Sequence, residues 1–260
     1  MKTVIFLKKK TNSSDNYERI FKDYGFYTVF IPVLTCTFVN QERLKSLLKN
    51  NPCTMFSAFI FTSKNSVYAF KEGCIHMNKQ ELEQIFNNIT VYTVGPATFK
   101  EVKRLGFHKV FGKETGCAKI LADFIISDHI DKRPILFLSG YRRMNDLEKK
   151  LSSSGIVLEE LVVYKTEESE EFGHLFNEII NDQTLNINWI IFFSPYASNI
   201  VMKYIQMSAI LQFKIATIGF TTLTYLNDKW NIKVNVTAQY PDANSLLKAI
   251  MNYEKDNCQD

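Results

Sequence analysis

The stretch A-F-I-F-T-S-K-N-S-V-Y-A-F, residues 58–70, decides the fold class of this chain. An apolar run ends in the hydroxyls Thr62 and Ser63, and apolar residues at helical spacing follow. This pattern predicts a buried strand that turns into a helix. Nearly the same pattern returns as W-I-I-F-F-S-P-Y-A-S-N-I-V-M-K-Y, residues 189–204. The chain therefore carries an internal duplication.

Three further pairs extend the duplication in the same order along the chain. A strand–helix–strand unit comes first, a strand–glycine–helix unit follows the stretch quoted above, and an amphipathic helix closes the series. The copies lie at 3–39 and 135–166, at 91–106 and 214–229, and at 116–125 and 242–250. Because a parallel crossover needs a connection of helix length, this alternation predicts an α/β fold with two doubly wound parallel-sheet domains.

Two predicted strand regions are unusually long. Residues 26–39, interrupted by Pro32, and residues 156–166 both exceed the typical strand length of about five or six residues. We expect each to leave one domain and cross towards the other, so that together they form a two-stranded hinge. Periodicity alone leaves open whether the domains are sequential or exchange their first units.

Composition restricts the function. The 260 residues suit two domains, and 46% hydrophobic with 22% charged residues is the balance of a globular protein without a membrane span. The short apolar run at the start is too brief for a signal peptide, so a cytoplasmic protein is expected. A net charge of +4, spread along the chain, argues against a nucleic-acid partner.

The sequence lacks the motifs of the common cofactors. Five scattered cysteines without a C-x-x-C pair and four distant histidines predict neither a disulfide framework nor a metal site. Neither the dinucleotide fingerprint nor the phosphate-binding P-loop follows any predicted strand. No cofactor is therefore expected.

Hydroxyls and glycines recur where predicted strands turn into helices, at the sheet edge where such folds bind ligands. They are Thr62, Ser63, Gly95, Thr98, Ser139, Gly140, Ser194, Gly219, Thr221 and Thr222. Each hydroxyl by itself is explained by helix capping. The functional alternative is that these helix N-termini hold the carboxylates of a ligand. The residues alone predict a two-domain protein that binds an anionic molecule.

Seven short motifs occur in order and give the chain a resemblance to a known family. They are F-T-S-x-x-x-V (61–67), V-G-P-A-T (94–98), G-C-A-x-x-L-A (116–122), V-Y-K-T (163–166), F-F-S-P (192–195), I-G-F-T-T (218–222) and T-A-x-x-P (237–241). In this order and spacing the sequence resembles uroporphyrinogen-III synthases over almost its whole length. The resemblance implies two flavodoxin-like domains, 1–34 plus 168–260 and 40–160, joined by a two-stranded β-ladder linker at 35–39 and 161–167.

The resemblance also implies an activity. Enzymes of this family are cyclising lyases of haem biosynthesis, in which hydroxymethylbilane loses water, closes its ring and inverts ring D to give uroporphyrinogen III. No metal or organic cofactor is expected from it. A monomer is expected, with a transient contact with the upstream hydroxymethylbilane synthase, and the sequence leaves open whether that enzyme hands over its product directly.

The family pattern assigns roles to individual residues. Tyr164 is implied to hydrogen-bond or protonate the leaving hydroxyl, and Thr222, with Thr221, to lie against the substrate. Substrate binding is implied for Thr62, Ser63, Lys64, Gly95, Thr98, Ser139, Gly140, Ser194, Lys214 and Thr221.

Three turns depart from the family pattern and are expected to differ from it in detail. Lys64 and Asn65 stand where Pro-Arg is common, and Tyr196-Ala197 replace Ser-Gly. Phe220 replaces the proline of I-G-P-T-T. Lys64 is then the substitute for the basic side chain expected at position 65.

One alternative function predicts the same architecture. A non-catalytic two-domain binding protein that closes on an anionic small molecule would use the same hinge and the same helix N-termini. It leaves Tyr164, on the long second strand region, without a role, and such proteins carry an export signal that is not expected here.

Overall fold

The chain divides into two compact units in a computed structural model that describes residues 1–11, 15–205, 210 and 212–257. The first unit comprises Met1–Thr35 and Glu167–Asp260, and the second comprises Cys36–Thr166. One of the five cysteines, Cys258, lies outside the described residues. Both ends of the chain thus belong to the same unit.

Strands and helices alternate along the described chain. The strands are β1 (Thr3–Phe6), β2 (Tyr27–Phe30), β3 (Leu34–Phe38), β4 (Ala58–Phe61), β5 (Thr90–Thr93), β6 (Lys109–Phe111), β7 (Ile135–Gly140), β8 (Leu158–Glu168), β9 (Ile187–Phe192), β10 (Lys214–Thr217) and β11 (Val236–Thr237). The helices are α1 (Asn16–Asp23), α2 (Gln41–Lys49), α3 (Pro52–Met55), α4 (Lys64–Gly73), α5 (Lys79–Asn88), α6 (Gly95–Leu105), α7 (Ala118–Asp128), α8 (Asp146–Ser153), α9 (Phe172–Ile180), α10 (Pro195–Val201), α11 (Phe220–Trp230) and α12 (Ala243–Asp256).

The two sheets follow one plan. The first unit has the strand order β11-β10-β9-β1-β2, and the second has β3-β8-β7-β4-β5-β6. Each copy of the duplicated pattern takes the same place in its sheet, so β9 corresponds to β4 and β10 to β5. The described pairings among these ten corresponding strands are parallel. The predicted α/β fold with two doubly wound parallel sheets is confirmed.

The long strand region at 26–39 is divided at its proline. Residues 31–33 around Pro32 are outside any strand, so β2 belongs to the first sheet and β3 to the second. Proline has no N–H to donate to a strand ladder, which explains a break at this position. The other region forms the single eleven-residue strand β8. β3 and β8 are hydrogen-bonded neighbours, and the unit boundaries lie within them.

Each sheet is covered by apolar side chains on both faces. In β1, Val4 and Phe6 belong to one buried cluster, and Ile5 belongs to the cluster on the opposite face. In β4, Phe59 and Ile60 are divided in the same way. Alternate residues of a strand point to opposite faces, so a continuous apolar strand requires helices on both sides. The carboxyl edges of the strands are left for ligands.

Five of the described helices begin after a residue whose side chain accepts a hydrogen bond from a free backbone N–H. The residues that cap helices in this way are Asp15, Ser63, Asn78, Ser194 and Asp242. Within the described ranges, no helix combines the length and apolar character needed to cross a bilayer. The same part of the chain contains no group of three His, Cys, Asp or Glu side chains placed to hold a metal ion.

Candidate functional site

A tyrosine, a serine and a glycine meet at the carboxyl edge of the second unit's sheet. Ser63 follows β4, and its Oγ donates a hydrogen bond to Tyr164 Oη at 2.9 Å. Tyr164 lies on β8, and its Cα partner on β7 is Gly140. A Cβ built on Gly140 would lie 2.5 Å from Tyr164 Cζ. The tyrosine ring therefore crosses β7 towards β4 because the residue beneath it has no side chain.

The serine at this edge has a capping role as well, and the duplicated copy repeats it. Ser63 Oγ accepts from Ser66 N at 3.3 Å, and Ser66 Oγ donates to Ser63 O at 2.8 Å. In the first unit, Ser194 Oγ accepts from Ala197 N at 3.2 Å, and Ser198 Oγ donates to Ser194 O at 2.8 Å. Capping accounts for both hydroxyls, but Ser63 also holds the Tyr164 phenol.

A braced glycine turn lies at the end of β5. Gly95 begins α6 with a φ of +73°, and its N–H donates to Gly112 O at 3.2 Å. Thr115 Oγ1 donates to Gly112 O at 2.7 Å and to Thr93 O at 3.0 Å. The sequence pattern did not identify Gly112 and Thr115, although Thr115 directly precedes the G-C-A motif and Gly112 lies four residues before it. Thr98, one turn into α6, is buried.

The remaining predicted residues lie in the turns from β4 to α4 and from β10 to α11, and they differ in exposure. Thr62 is half-buried between β4 and α4, and Lys64 is exposed at the first position of α4. In the first unit, Gly219 caps α11 with an extended backbone, and Thr221 in the first turn is exposed. The side chain of Thr222 is almost completely buried. Thr221 is therefore the more accessible hydroxyl of this pair.

The predicted role of Ser139 is corrected by its burial. Its side chain is fully buried, and its hydroxyl donates to the carboxylate of Glu160. Glu160 also accepts a hydrogen bond of 2.6 Å from Arg143 Nε. The strand pleat turns the Ser139 side chain into this ion pair and away from the exposed edge. Its hydroxyl has a structural partner and is not presented to a substrate.

Lys214 lies at the wrong edge of the sheet for the role predicted for it. It is the first residue of β10, whereas the ligand edge of a parallel sheet is where the strands end. Its Nζ lies 2.6 Å from Oε1 of the buried Glu254, which also accepts from Trp189 Nε1 at 3.0 Å. Lys214 therefore stabilises the amino edge of the first unit and does not belong to the candidate site.

Beyond the carboxyl end of β1, a buried carboxylate is held in its charged form. Burial by itself raises the pKa of Asp15, but hydrogen bonds from Lys8, Thr11 and Tyr17 lower it to about 2. Lys8 Nζ lies 2.7 Å from Asp15 Oδ2 and 4.6 Å from the centroid of the Tyr17 ring. Burial, with the charges of Asp242 and Asp15, raises the pKa of the Tyr17 phenol to about 12. The Lys8 ammonium is therefore paired with Asp15 and the Tyr17 ring within the first unit.

The sequence of this chain is similar to known proteins along almost its whole length. A family model described as uroporphyrinogen-III synthase HemD matches residues 15–248. The uroporphyrinogen-III synthase of Schizosaccharomyces pombe is 33% identical, over 99% of this chain and 99% of that protein. The chain belongs to the uroporphyrinogen-III synthase family. The uroporphyrinogen-III synthase of Saccharomyces cerevisiae is 35% identical, over 97% of this chain and 96% of that protein.

A solved structure supports the fold. The crystal structure of uroporphyrinogen-III synthetase from Helicobacter pylori matches this chain with a TM-score of 0.64 and 19% identity. The match covers 97% of this chain and 99% of that one. At this identity the likeness shows the shared two-unit α/β fold.

The motifs that carried the resemblance to uroporphyrinogen-III synthases lie at corresponding places in the structure. F-T-S-x-x-x-V and F-F-S-P span the end of a strand and the start of a helix, at β4 and β9. V-G-P-A-T and I-G-F-T-T begin one residue after β5 and β10 end and run into the next helix. V-Y-K-T lies within β8 and carries Tyr164. In this chain, four of the seven motifs therefore lie at the carboxyl edges of the two sheets.

Proposed function

We propose that this chain is a uroporphyrinogen-III synthase, a lyase that cyclises hydroxymethylbilane with loss of water and inversion of ring D. One observation carries the proposal beyond family membership. Tyr164, on the V-Y-K-T motif, is held by Ser63 of the F-T-S motif, and its ring fills the space that Gly140 leaves. Three segments distant in sequence thus fix the position of one phenol at the ligand edge.

The hydroxyl of Tyr164 is held at the ligand edge by one neighbour. Ser63 Oγ accepts from Ser66 N and lies 2.9 Å from Tyr164 Oη. With Ser63 as the donor in this bond, we assign the phenol O–H to the substrate side. Phenols are weak acids in general, so we assign Tyr164 the orientation of the leaving hydroxyl, with the substrate's own carboxylates assisting the proton transfer.

The reaction needs no electron donor or acceptor outside the substrate. The bond between the hydroxymethyl carbon and its oxygen breaks, the oxygen leaves as water, and the adjoining pyrrole supplies the electron pair, which gives an azafulvene cation. The substituted carbon of the last pyrrole attacks this cation to form a spiro intermediate. That intermediate fragments and recloses with ring D inverted, and the final step releases a proton. The protein's contribution is to hold the chain ends in the geometry that leads to the inverted isomer.

Binding of the acetate and propionate groups is assigned to the helix N-termini. In the second unit these are the starts of α4 and α6, with Thr62, Ser63, Lys64 and Gly95, while Thr98 is buried in the first turn of α6. In the first unit they are the starts of α10 and α11, with Ser194 and Thr221, while the buried Thr222 supports the first turn of α11 from inside. Free N–H groups and the positive end of the helix dipole favour a carboxylate at such positions.

We further propose that the chain works as a monomer in the cytoplasm and receives its substrate from the upstream hydroxymethylbilane synthase. The sheets of both units are covered on both faces by the chain's own helices, which supports a monomer. Sedimentation equilibrium with and without the upstream enzyme tests the monomeric state and the contact with that enzyme, and a stable dimer would contradict the first.

The test of the activity is direct. Purified protein receives freshly generated hydroxymethylbilane, the products are oxidised, and the uroporphyrin isomers are separated by chromatography. Type III in excess over a control without enzyme is the expected result. Type I alone, from a sample with a cooperative unfolding transition, would refute the proposed activity.

The role of Tyr164 has its own test. The Tyr164→Phe variant keeps the ring above Gly140 and removes only the hydroxyl, so we expect a stable fold and a turnover lower by about a hundredfold. Full turnover in a folded Tyr164→Phe protein would show that the phenol has no part in the chemistry.

A further inference from the structure

A groove runs along the outer side of α11 in the first unit. Its volume is about 560 Å³, and it lies between the first turn of α10 and the exposed face of α11. The lining includes Pro195, Phe220, Thr221, Thr224, Tyr225 and Lys229. Since Thr221 is also one of the residues at the carboxyl edge, the groove is continuous with the candidate site.

The mouth of the groove is aromatic. Phe220 is 65% exposed, although it is a large apolar side chain at the first position of α11. It stands where the family motif has a proline, so the ring adds apolar surface to this turn in this chain. A flat ring at a ligand edge offers a surface on which another flat, electron-rich ring can pack.

A cation lies farther along the groove. Lys229 Nζ is 3.0 Å from Asn199 Oδ1 and 5.3 Å from the centroid of the Tyr225 ring. Tyr225 Oη donates to the same Asn199 oxygen at 3.0 Å, which fixes both groups. Tyr225 follows Thr221 by four residues, which is about 6 Å along a helix. The ammonium therefore lies beside Tyr225, roughly one helical turn along α11 from Thr221.

This spacing fits one chemical unit. We infer that the groove holds one pyrrole ring of the substrate, with the ring against Phe220 and its acetate or propionate directed towards Lys229. The inference rests on the proposed function, and it adds a subsite for a ring on the first unit. Binding of a non-reacting part of a substrate can supply energy for the geometry of the reacting centre. Phe220 and Lys229 are then residues that determine affinity.

A neighbouring negative charge, Asp228, should affect ligand binding in the direction opposite to Lys229. Asp228 also lines the groove and is exposed beside Lys229. Its carboxylate repels an incoming carboxylate, so its removal must act in the direction opposite to the removal of Lys229. A purely structural role for these residues predicts no such opposition.

The first test uses a monopyrrole probe. A pyrrole with one acetate and one propionate, but without the cationic aminomethyl group of porphobilinogen, is titrated into the full chain, and the backbone amide resonances are followed by NMR. We expect the amides of Thr221, Thr224 and Tyr225 to shift. Phe220→Ala should weaken probe binding about fivefold through the lost ring contact. Lys229→Gln should weaken it roughly threefold at low salt and less at high salt. Asp228→Asn should strengthen it.

Matched controls separate these effects from general changes to the unit. Tyr24 is 62% exposed on the same unit, and Lys248 is exposed on α12. Tyr24→Ala and Lys248→Gln should leave probe binding unchanged. Amide shifts elsewhere with none along α11, or equal losses in the control variants, would overturn the inference.

Turnover assays distinguish the two levels of the proposal. If the unaltered protein forms type III isomer and Phe220→Ala raises KM about fivefold with kcat retained, both stand. If it forms type III and KM is unchanged in Phe220→Ala and Lys229→Gln, the groove is refuted while the activity stands. If the unaltered protein forms only type I, the activity has failed and the substrate assigned to the groove fails with it.

Discussion

Replacing Gly140 by alanine should move the Tyr164 ring without removing its hydroxyl. The added Cβ would lie 2.5 Å from Cζ and 2.6 Å from Oη of Tyr164, whereas ordinary contact begins at 3.4 Å. The ring must therefore shift by about 1 Å, which lengthens its 2.9 Å bond to Ser63 beyond hydrogen-bonding range. A displacement of this size at a reacting group can cost about a hundredfold in rate. Overpacking should also lower the free energy of unfolding by about 1–3 kcal/mol.

The assay is the rate of type III isomer formation, measured together with urea unfolding. We expect the kcat of Gly140→Ala to fall about a hundredfold while KM changes little, because the helix N-termini are untouched. Gly116→Ala is the matched control, since a Cβ at Gly116 meets nothing within 4 Å. It should keep both rate and stability.

The double variant of Gly140→Ala and Tyr164→Phe tests whether both changes act through the phenol. If Gly140→Ala acts only by displacing the phenol, adding it to Tyr164→Phe should cost little further activity, because the two changes remove the same interaction. Wild-type turnover in a folded Gly140→Ala protein would refute the reasoning. So would fully additive losses in the double variant.

Three other predictions follow from the caps, the buried carboxylate and the corrected lysine. Ser63→Ala and Ser194→Ala should each lower the free energy of unfolding by about 1 kcal/mol in urea through the lost helix cap, and an unchanged midpoint would contradict the capping. The folded pKa of Asp15, about 2, lies below its ordinary 3.8, so the charged carboxylate stabilises the fold above about pH 4 and loses this effect as pH falls towards 2. Asp15→Asn should remove that part of the acid-unfolding curve followed by circular dichroism, and an identical curve would argue against it. Lys214→Met should lower stability by about 2 kcal/mol, because Glu254 loses a charged partner, and should leave KM unchanged. A raised KM in a fully stable Lys214→Met protein would show that Lys214 binds the substrate.

The alternation of strands and helices and its duplication could be predicted from the sequence. Strand periodicity, the caps at Ser63 and Ser194, and the turn glycines depend on residues close together along the chain. The order in which the copies recur also predicted two sheets of one kind. The position of Lys214 at the amino edge of the sheet could also be predicted, because the strand periodicity makes Lys214 the first residue of a strand.

Only the tertiary structure decided how distant segments meet. It assigned the two sides of Pro32 to different sheets, turned Ser139 into a buried contact with Glu160, and brought Tyr164 over Gly140 to Ser63. These outcomes depend on strand order and register, since a shift of one residue would send every side chain of a strand to the other face. Local pattern determines which residues form a strand. The partner that a strand side chain reaches is determined by neighbouring strands that lie far away in the sequence.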